Sequence, residues 1–281
     1  MSFEETHAHG EVLRNSLMLH SYPLAVKLFR AGEEFPEKTR TPSDFGRRKW
    51  AICQAWAAAR HIGWTVGIHA EQSVCPPSNI LFGWAEEGAD RHLAEAWLEM
   101  GIAKDVGGVK RFLDEHCRFR AQEYSGIVFS PLPWTRVLPD LVMIHCNPAQ
   151  GVILTGGYLY KEGKSINSTF RSSAVCASAI IGTLKSNEPQ FCLPCAGERG
   201  LARSQDSELI FIFPGEILAD IVQGLEGMQK SGYNRFPIVP YLLYEPDLIP
   251  PYRKLQKKVK IAHLEGFPSD SMKGIKDRFT K

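Results

Sequence analysis

The chain has 281 residues, of which 44% are apolar and 23% charged, a globular composition that excludes a disordered or fibrous chain and fits one large domain or two small ones. Thirty-three Lys/Arg against 31 Asp/Glu is too even for a surface that neutralises nucleic-acid phosphates along its whole length. The charge is unevenly placed: residues 251–281 hold nine Lys/Arg and three Asp/Glu, leaving 24 against 28 before them, so a slightly acidic body precedes a basic tail. No apolar run reaches the ~18–20 residues that span a bilayer, and the polar residues 1–10 are unlike a signal peptide, which predicts a soluble, cytoplasmic protein.

In chain order, Val12, Leu13, Leu17 and Leu19 recur with helical spacing over residues 11–20. Pro23 disfavours helix before it, so residues 24–29 read as a short buried strand. The polar stretch 30–44 reads as a loop, from which Ser43 or Asp44 caps a helix over residues 47–62. That helix is predicted to turn Trp50, Ile52, Cys53 and Trp56 to the core, with Arg47 and Arg60 at its wetter edges. A strand follows at 64–68, then a loop that carries Cys75, then helices at about 90–100 and 109–122. Residues 127–129 and 140–145 are strands, 149–160 a helix interrupted by Gly156 and Gly157, and 174–184 a buried helix. Residues 208–213 form a strand and 215–230 an amphipathic helix. Strands alternate with helices throughout, which predicts an α/β or α+β fold: one domain, a mixed sheet covered by helices.

Motif searches are mostly negative. There is no G-x-G-x-x-G, no G-x-x-x-x-G-K-[ST], no H-E-x-x-H, no EF-hand loop and no G-x-S-x-G elbow. Gly156-Gly157 reads as a turn rather than a phosphate loop. His7 and His9 fall in a frayed terminus, and His20, His61, His92 and His263 lack the clustering that marks metal ligands.

The chemistry-bearing residues are cysteines, seven in number, at 53, 75, 117, 146, 176, 192 and 195. Disulfides are not expected in a reducing cytosol. The sharpest pattern is Cys192-Leu193-Pro194-Cys195 followed by Ala196-Gly197-Glu198-Arg199, because C-x2-C lets one turn present two sulfurs to a single metal ion or cluster. Such a centre needs about four ligands, and Cys75, Cys146 and Cys176 are the further candidates. Cys75 and Cys146 each follow a strand, which in a parallel sheet is where ligands gather. Cys176 opens a helix, whose dipole favours a thiolate, or else it is simply a small buried residue. Cys53 reads as core and Cys117 as a surface thiol. A thioredoxin-like dithiol is disfavoured because Ala-Gly-Glu-Arg-Gly is a poor helix start. Arg199 serves either an anionic substrate or a surface pair with Glu198.

Taken together, Pro23 to Lys27, Cys53-Gln54-Ala55, Cys75-Pro76-Pro77, Asn147-Pro148-Ala149-Gln150 and Leu193 to Arg199 resemble the DUF169 family, and Ser207 to Phe211 and Val222 to Gly227 are similar to its closing strand and helix. The resemblance covers about residues 20–240 and leaves the tail outside. It implies a family found mainly in archaea and anaerobic bacteria, with no established activity. Two departures stand out: Pro76-Pro77 where the family tends to have glycines, and Cys146 where a non-Cys residue is usual. The second lowers Cys146 as a ligand and leaves Cys75, Cys176, Cys192 and Cys195 as the preferred four.

The leading expectation is therefore a protein that holds an iron–sulfur cluster, or a zinc or other single ion, on these four thiolates with Arg199 beside them, for redox or small-ligand chemistry with an unidentified redox or small-molecule partner. The alternative is a cofactor-free enzyme or binding protein in which Cys75 or Cys195 is the lone nucleophile, His69 and Glu71 are the nearest bases to Cys75, and Arg199 positions an anion. A third class, a module whose basic tail binds nucleic acid, is weaker, since a solvated extension explains the tail as well.

Overall fold

A computed structural model describes residues 1–232, 236–237 and 248–259. The chain divides into two compact units, Met1–Ile238 and Val239–Lys281. Within the described part of the second unit lies one short helix, Pro250–Gln256. Most of the basic tail expected over 251–281 lies outside the described residues.

The first unit runs α1 (Phe3–Ser16), β1 (Leu24–Phe29), α2 (Ile52–Ile62), β2 (Val66–His69), α3 (Pro76–Leu81), α4 (Ala89–Glu99), α5 (Val106–Asp114), β3 (Gly126–Pro131), β4 (Leu141–Cys146), α6 (Pro148–Glu162), α7 (Val175–Ser186), β5 (Gln190–Cys192), α8 (Ala196–Ala202), β6 (Leu209–Pro214) and α9 (Leu218–Ser231). It is a mixed helix-and-sheet fold, as the alternation in the sequence predicts. The six strands lie in the order β2-β3-β1-β4-β6-β5, and every neighbouring pair is antiparallel. The α+β form of the expectation is thus the one adopted.

The period of two along each strand divides its side chains between two cores. Leu24, Val26, Leu28, Ile127, Phe129, Leu141, Met143, Ile210 and Ile212 face one side, where residues of α2, α4, α5 and α7 cover them. Ala25, Phe29, Val128, Val142, Ile144, Phe211 and Phe213 face the other, against α1, α6 and α9. This alternation sends the neighbours His145 and Cys146 to opposite faces, and Cys146 is buried in the second core.

Several local expectations are corrected. The frayed terminus is instead the start of α1, closed by a reciprocal cap in which Glu5 N–H donates to Ser2 Oγ at 3.2 Å and Ser2 N–H to Glu5 Oε2 at 2.7 Å. His7 Nε2 hydrogen-bonds the Thr135 carbonyl at 2.9 Å. Helix α2 begins at Ile52 rather than 47, because Trp50 is drawn into a two-bond ladder: Trp50 N–H donates to the Gln72 carbonyl at 2.9 Å and Val74 N–H to the Trp50 carbonyl at 3.0 Å. Trp50 also stacks on Phe45. Helix α5 stops at Asp114, well short of 122. Gly156 and Gly157 lie inside α6, where Gly157 lets α9 approach; a Cβ on the facing Gly224 would sit 2.1 Å from the Gly157 carbonyl oxygen.

The largest correction is Arg60. Placed at a wetter edge by the helical pattern, its side chain is 0% exposed and forks onto Glu208, with Nη1–Oε1 at 2.9 Å and Nη2–Oε2 at 3.0 Å. Burial alone would raise the Glu208 pKa, but the Arg60 hydrogen bonds, the Gln205 N–H and the Arg60 charge together hold it below its ordinary 4.5. A lowered carboxylate pKa adds stability that is present above pH 4.5 and is lost as pH falls through the lower folded value. Arg60→Met should cost about 3–5 kcal/mol by leaving the carboxylate alone. The double variant Arg60→Met, Glu208→Leu should recover most of it, since an apolar pair replaces a buried ionic one without an orphaned charge. Urea unfolding of the three chains at pH 7, and of the wild type down to pH 3, checks this. Equal stability of wild type and Arg60→Met would show that the pair holds nothing.

Candidate functional site

Four of the seven thiols are gathered on the face covered by α2 and α7, each from a different element. Cys53 is the second residue of α2 and Cys176 the second of α7. Cys75 precedes α3 as its cap, and Cys195 precedes α8 as its cap. The cap positions follow from sequence: Pro76 and Pro77 suit the first helical turn, where no N–H is needed. Ser78 Oγ–H donates back to the Cys75 carbonyl at 3.0 Å. The Trp50 ladder ties the segment entering α2 to the segment entering Cys75, and helices α2 and α8 pack together, as do α3 and α7.

The electrostatics report the convergence. Burial pushes the Cys176 thiol well above its ordinary 9.0, and the charges of Cys75, Cys195 and Cys53 push it further in the same direction. Burial likewise raises Cys53, followed by the charges of Glu198, Cys75 and Cys195. The helix dipole that would favour a Cys176 thiolate is overridden. Cys53 and Cys176 are therefore held as neutral thiols at neutral pH.

Cys192 and Arg199 sit differently from the other preferred residues. Cys192 ends β5, paired with Ile210 and 2% exposed, and burial followed by the Glu198 charge pushes it up to about 12. Arg199 Nη1 is engaged with Asp206 Oδ1 at 2.9 Å and the Gln205 carbonyl at 3.0 Å. His69 stacks on Phe35 with ring centres 4.0 Å apart. Cys117 is half-buried against the first core. Ala196–Ala202 does form a helix after β5, so the reason given against a thioredoxin-like dithiol falls. The burial and raised pKa of Cys192 supply another, since exchange needs an accessible thiolate. The parallel-sheet argument for Cys75 and Cys146 also lapses, because the pairings are antiparallel and Cys146 lies in the other core, raised to about 12 by burial and then by Glu208. Among the described residues no group of three or more His, Cys, Asp or Glu side chains is arranged to hold a metal ion.

Sequence reasoning missed Cys53 as a member of the group and missed the polar network behind it. His145 Nε2 meets Glu198 Oε1 at 2.9 Å, with both side chains 1% exposed. Ser204 Oγ–H donates to the same oxygen at 2.6 Å, while Glu198 Oε2 is buried with no partner among the described residues. Burial and then the Arg60 charge lower the His145 pKa, so His145 is neutral and its Nε2–H is the donor to the carboxylate. The separation of 53 positions between His145 and Glu198 leaves no local signal in the sequence. Only the antiparallel register of β4 with β6, and α8 lying before β6, brings them together.

Exposure and ionisation predict an order of reactivity. Under native reducing conditions iodoacetamide should modify Cys75, Cys117 and Cys195, which are half-buried, before Cys146 and Cys192. Peptide mass spectrometry over a time course reads this, and early labelling of Cys192 would contradict the placement of β5.

The comparisons agree with the resemblance in the sequence and add no activity. No solved structure matches the chain. The uncharacterized protein MJ0308 of Methanocaldococcus jannaschii is 26% identical over 231 residues, covering 82% of this chain and 97% of that one. The model for DUF169, described as uncharacterised ArCR, matches residues 12–224, which span all six strands and the four gathered thiols, and the chain therefore belongs to the DUF169 family.

Proposed function

We propose that Cys53, Cys75, Cys176 and Cys195, gathered on one face but not drawn around a common point, close on a thiophilic metal centre when it binds, an iron–sulfur cluster or a single ion such as zinc, used for redox or small-ligand chemistry. One observation carries the reading: three other thiols, each from a separate element, act on the charge state of Cys176. Burial keeps Cys53 and Cys176 as neutral S–H groups, and a metal that displaces thiol protons converts the repulsion between neighbouring thiolates into attraction to one cation. The orphaned Glu198 oxygen near Cys53 adds to the pull on a cation. Relative to the four preferred from sequence, Cys53 replaces Cys192. Seven free cysteines suit a reducing cytoplasm, and a cluster of this kind suits an anaerobic one.

The half-buried state of Cys75 and Cys195 favours one other reading, a cofactor-free protein in which one of them is a nucleophile. Arg199 would not serve it as an anion site while held by Asp206.

Anaerobic titration with Co²⁺ separates the two. The metal reading expects sulfur-to-cobalt charge-transfer absorption at one equivalent, weakened more than about tenfold in affinity by Ser at 53, 75, 176 or 195, in line with the sensitivity of metal sites to their shells. Cys192→Ala and Cys146→Ala should bind as the wild type does. Absence of such bands, together with no retained iron and sulfide after reconstitution, would leave the nucleophile reading in place.

A further inference from the structure

The segment between β1 and α2 reverses the charge of the body around it. Residues 38–50 carry Lys38, Arg40, Arg47, Arg48 and Lys49 against Asp44 alone, leaving 19 Lys/Arg against 27 Asp/Glu over the rest of residues 1–250. The segment is also held firmly. Arg40 N–H donates to the Thr65 carbonyl at 2.9 Å and Gly67 N–H to the Arg40 carbonyl at 2.8 Å, which seats one end against β2. The Trp50 ladder seats the other end. Between them the short 3-10 turn Pro42–Phe45 lays Phe45 against Trp50 and Trp64, with ring centres 4.9 and 5.1 Å away. The Arg40 guanidinium lies 4.2 Å from the Trp64 ring centre. Asp44 accepts from Thr41 N–H at 2.6 Å rather than from a cation. Arg47, Arg48 and Lys49 are exposed, and none of the three pairs with a carboxylate among the described residues. Three adjacent like charges repel one another, so a braced loop that presents them unpaired has done in advance the ordering that a partner would otherwise impose.

We propose that Arg47, Arg48 and Lys49 form a docking surface for the acidic face of a partner protein. Two features choose that partner over other anions. A nucleic acid or an anionic bilayer extends beyond three residues and meets a body in which acids outnumber bases, whereas the acidic patch of a protein matches the extent of the loop. Single-stranded nucleic acid also uses aromatic faces on which its bases stack, and here the rings of Phe45, Trp50 and Trp64 stack on one another and beneath Arg40. Carboxylates need only the cations, two of which are guanidinium forks that take both oxygens of one group. The Trp50 ladder joins this loop to the segment that enters Cys75, so a docked protein lies toward the gathered thiols. Docking itself stands whether or not those thiols hold a metal.

The test titrates the full reduced chain at low salt with three probes: a fluorescein-labelled decaglutamate peptide, a thymidine oligonucleotide of equal charge, and phosphatidylserine vesicles. The expected result is saturable binding of decaglutamate that weakens as salt rises. The triple variant Arg47→Glu, Arg48→Glu, Lys49→Glu should lose roughly tenfold or more in affinity, since three attractions become three repulsions. Lys254→Glu, Lys257→Glu and Lys258→Glu together, in the basic tail, should leave it within about twofold of the wild type. Should the loop variant fail to fold, carbodiimide coupling of the peptide to the wild-type chain decides the matter. Mass spectrometry should then find Lys49 coupled ahead of Lys254, Lys257 and Lys258. Non-saturable binding, an affinity that the loop variant leaves unchanged, coupling confined to the tail, or tighter binding of the oligonucleotide or the vesicles would each overturn the proposal.

Discussion

A guanidinium with no exposed surface has to be neutralised where it stands, and Arg60 meets that demand through both oxygens of Glu208. Taking such a charge out of water without a partner costs several kcal/mol, so the position of α2 is tied to the residue that leads into β6. A second polar link, His145 to Glu198 and Ser204, ties β4 to α8 in the same region. These two buried connections fix the helices that carry Cys53 and Cys195. Apolar packing alone would tolerate sliding of one helix along another, whereas a bidentate ion pair and a doubly held carboxylate oxygen do not. The placement of two of the four thiols thus rests on paired charges to which the thiols contribute nothing.

All four gathered cysteines stand at the start of a helix, yet that position does not set their chemistry. A helix dipole offers a charge about 0.3–1 kcal/mol, less than the ~1.4 kcal/mol that one pKa unit represents. Burial lifts Cys53 and Cys176 well above 9.0, so desolvation exceeds what a dipole returns. Sequence reasoning that stops at the helix start predicts a thiolate, and the fold delivers a neutral thiol. What the helix starts do provide is geometry. The first turn is where a side chain leaves the helix along its entering chain, so four such turns pointed at one region bring sulfurs together without any long loop.

Much of the fold is visible in the sequence because it depends on short-range pattern. Strands at 24–29, 127–129, 140–145 and 208–213 follow from apolar runs bounded by Pro and polar residues, and each is present. Short elements with conflicting signals are the ones lost: α8 carries two glycines, and β5 has three residues. Three of the four gathered thiols were legible: C-x2-C marked Cys195, loop position marked Cys75 and a helix start marked Cys176, but Cys53 sits among Trp50, Ile52 and Trp56 and looks like core until α8 is placed opposite it. Arg60 was misplaced for a related reason. Helical periodicity says which residues share a face, and it does not say that Glu208, 148 residues away, faces the same spot.

Charge bookkeeping around the thiols points outward. The strongest electrostatic influences on Cys53 and Cys176 are those of other thiols and of Glu198, all anionic when ionised. The nearby cations are committed: Arg60 to Glu208, and Arg199 to Asp206. Arg171 acts on Cys192 and donates to the Glu115 carbonyl. On the proposed metal reading, such a group would have two stable states. In one, protons neutralise Cys53 and Cys176, the first of which lies beside the buried Glu198. In the other, a multivalent cation would replace several protons at once, and the negative groups that opposed one another would share an attraction. Passing through singly ionised states is disfavoured by each neighbour, so the exchange of protons for metal is expected to be cooperative rather than stepwise. The same surroundings that suppress a lone nucleophile at Cys53 or Cys176 are the ones in which the proposed metal centre would depend on all four sulfurs together.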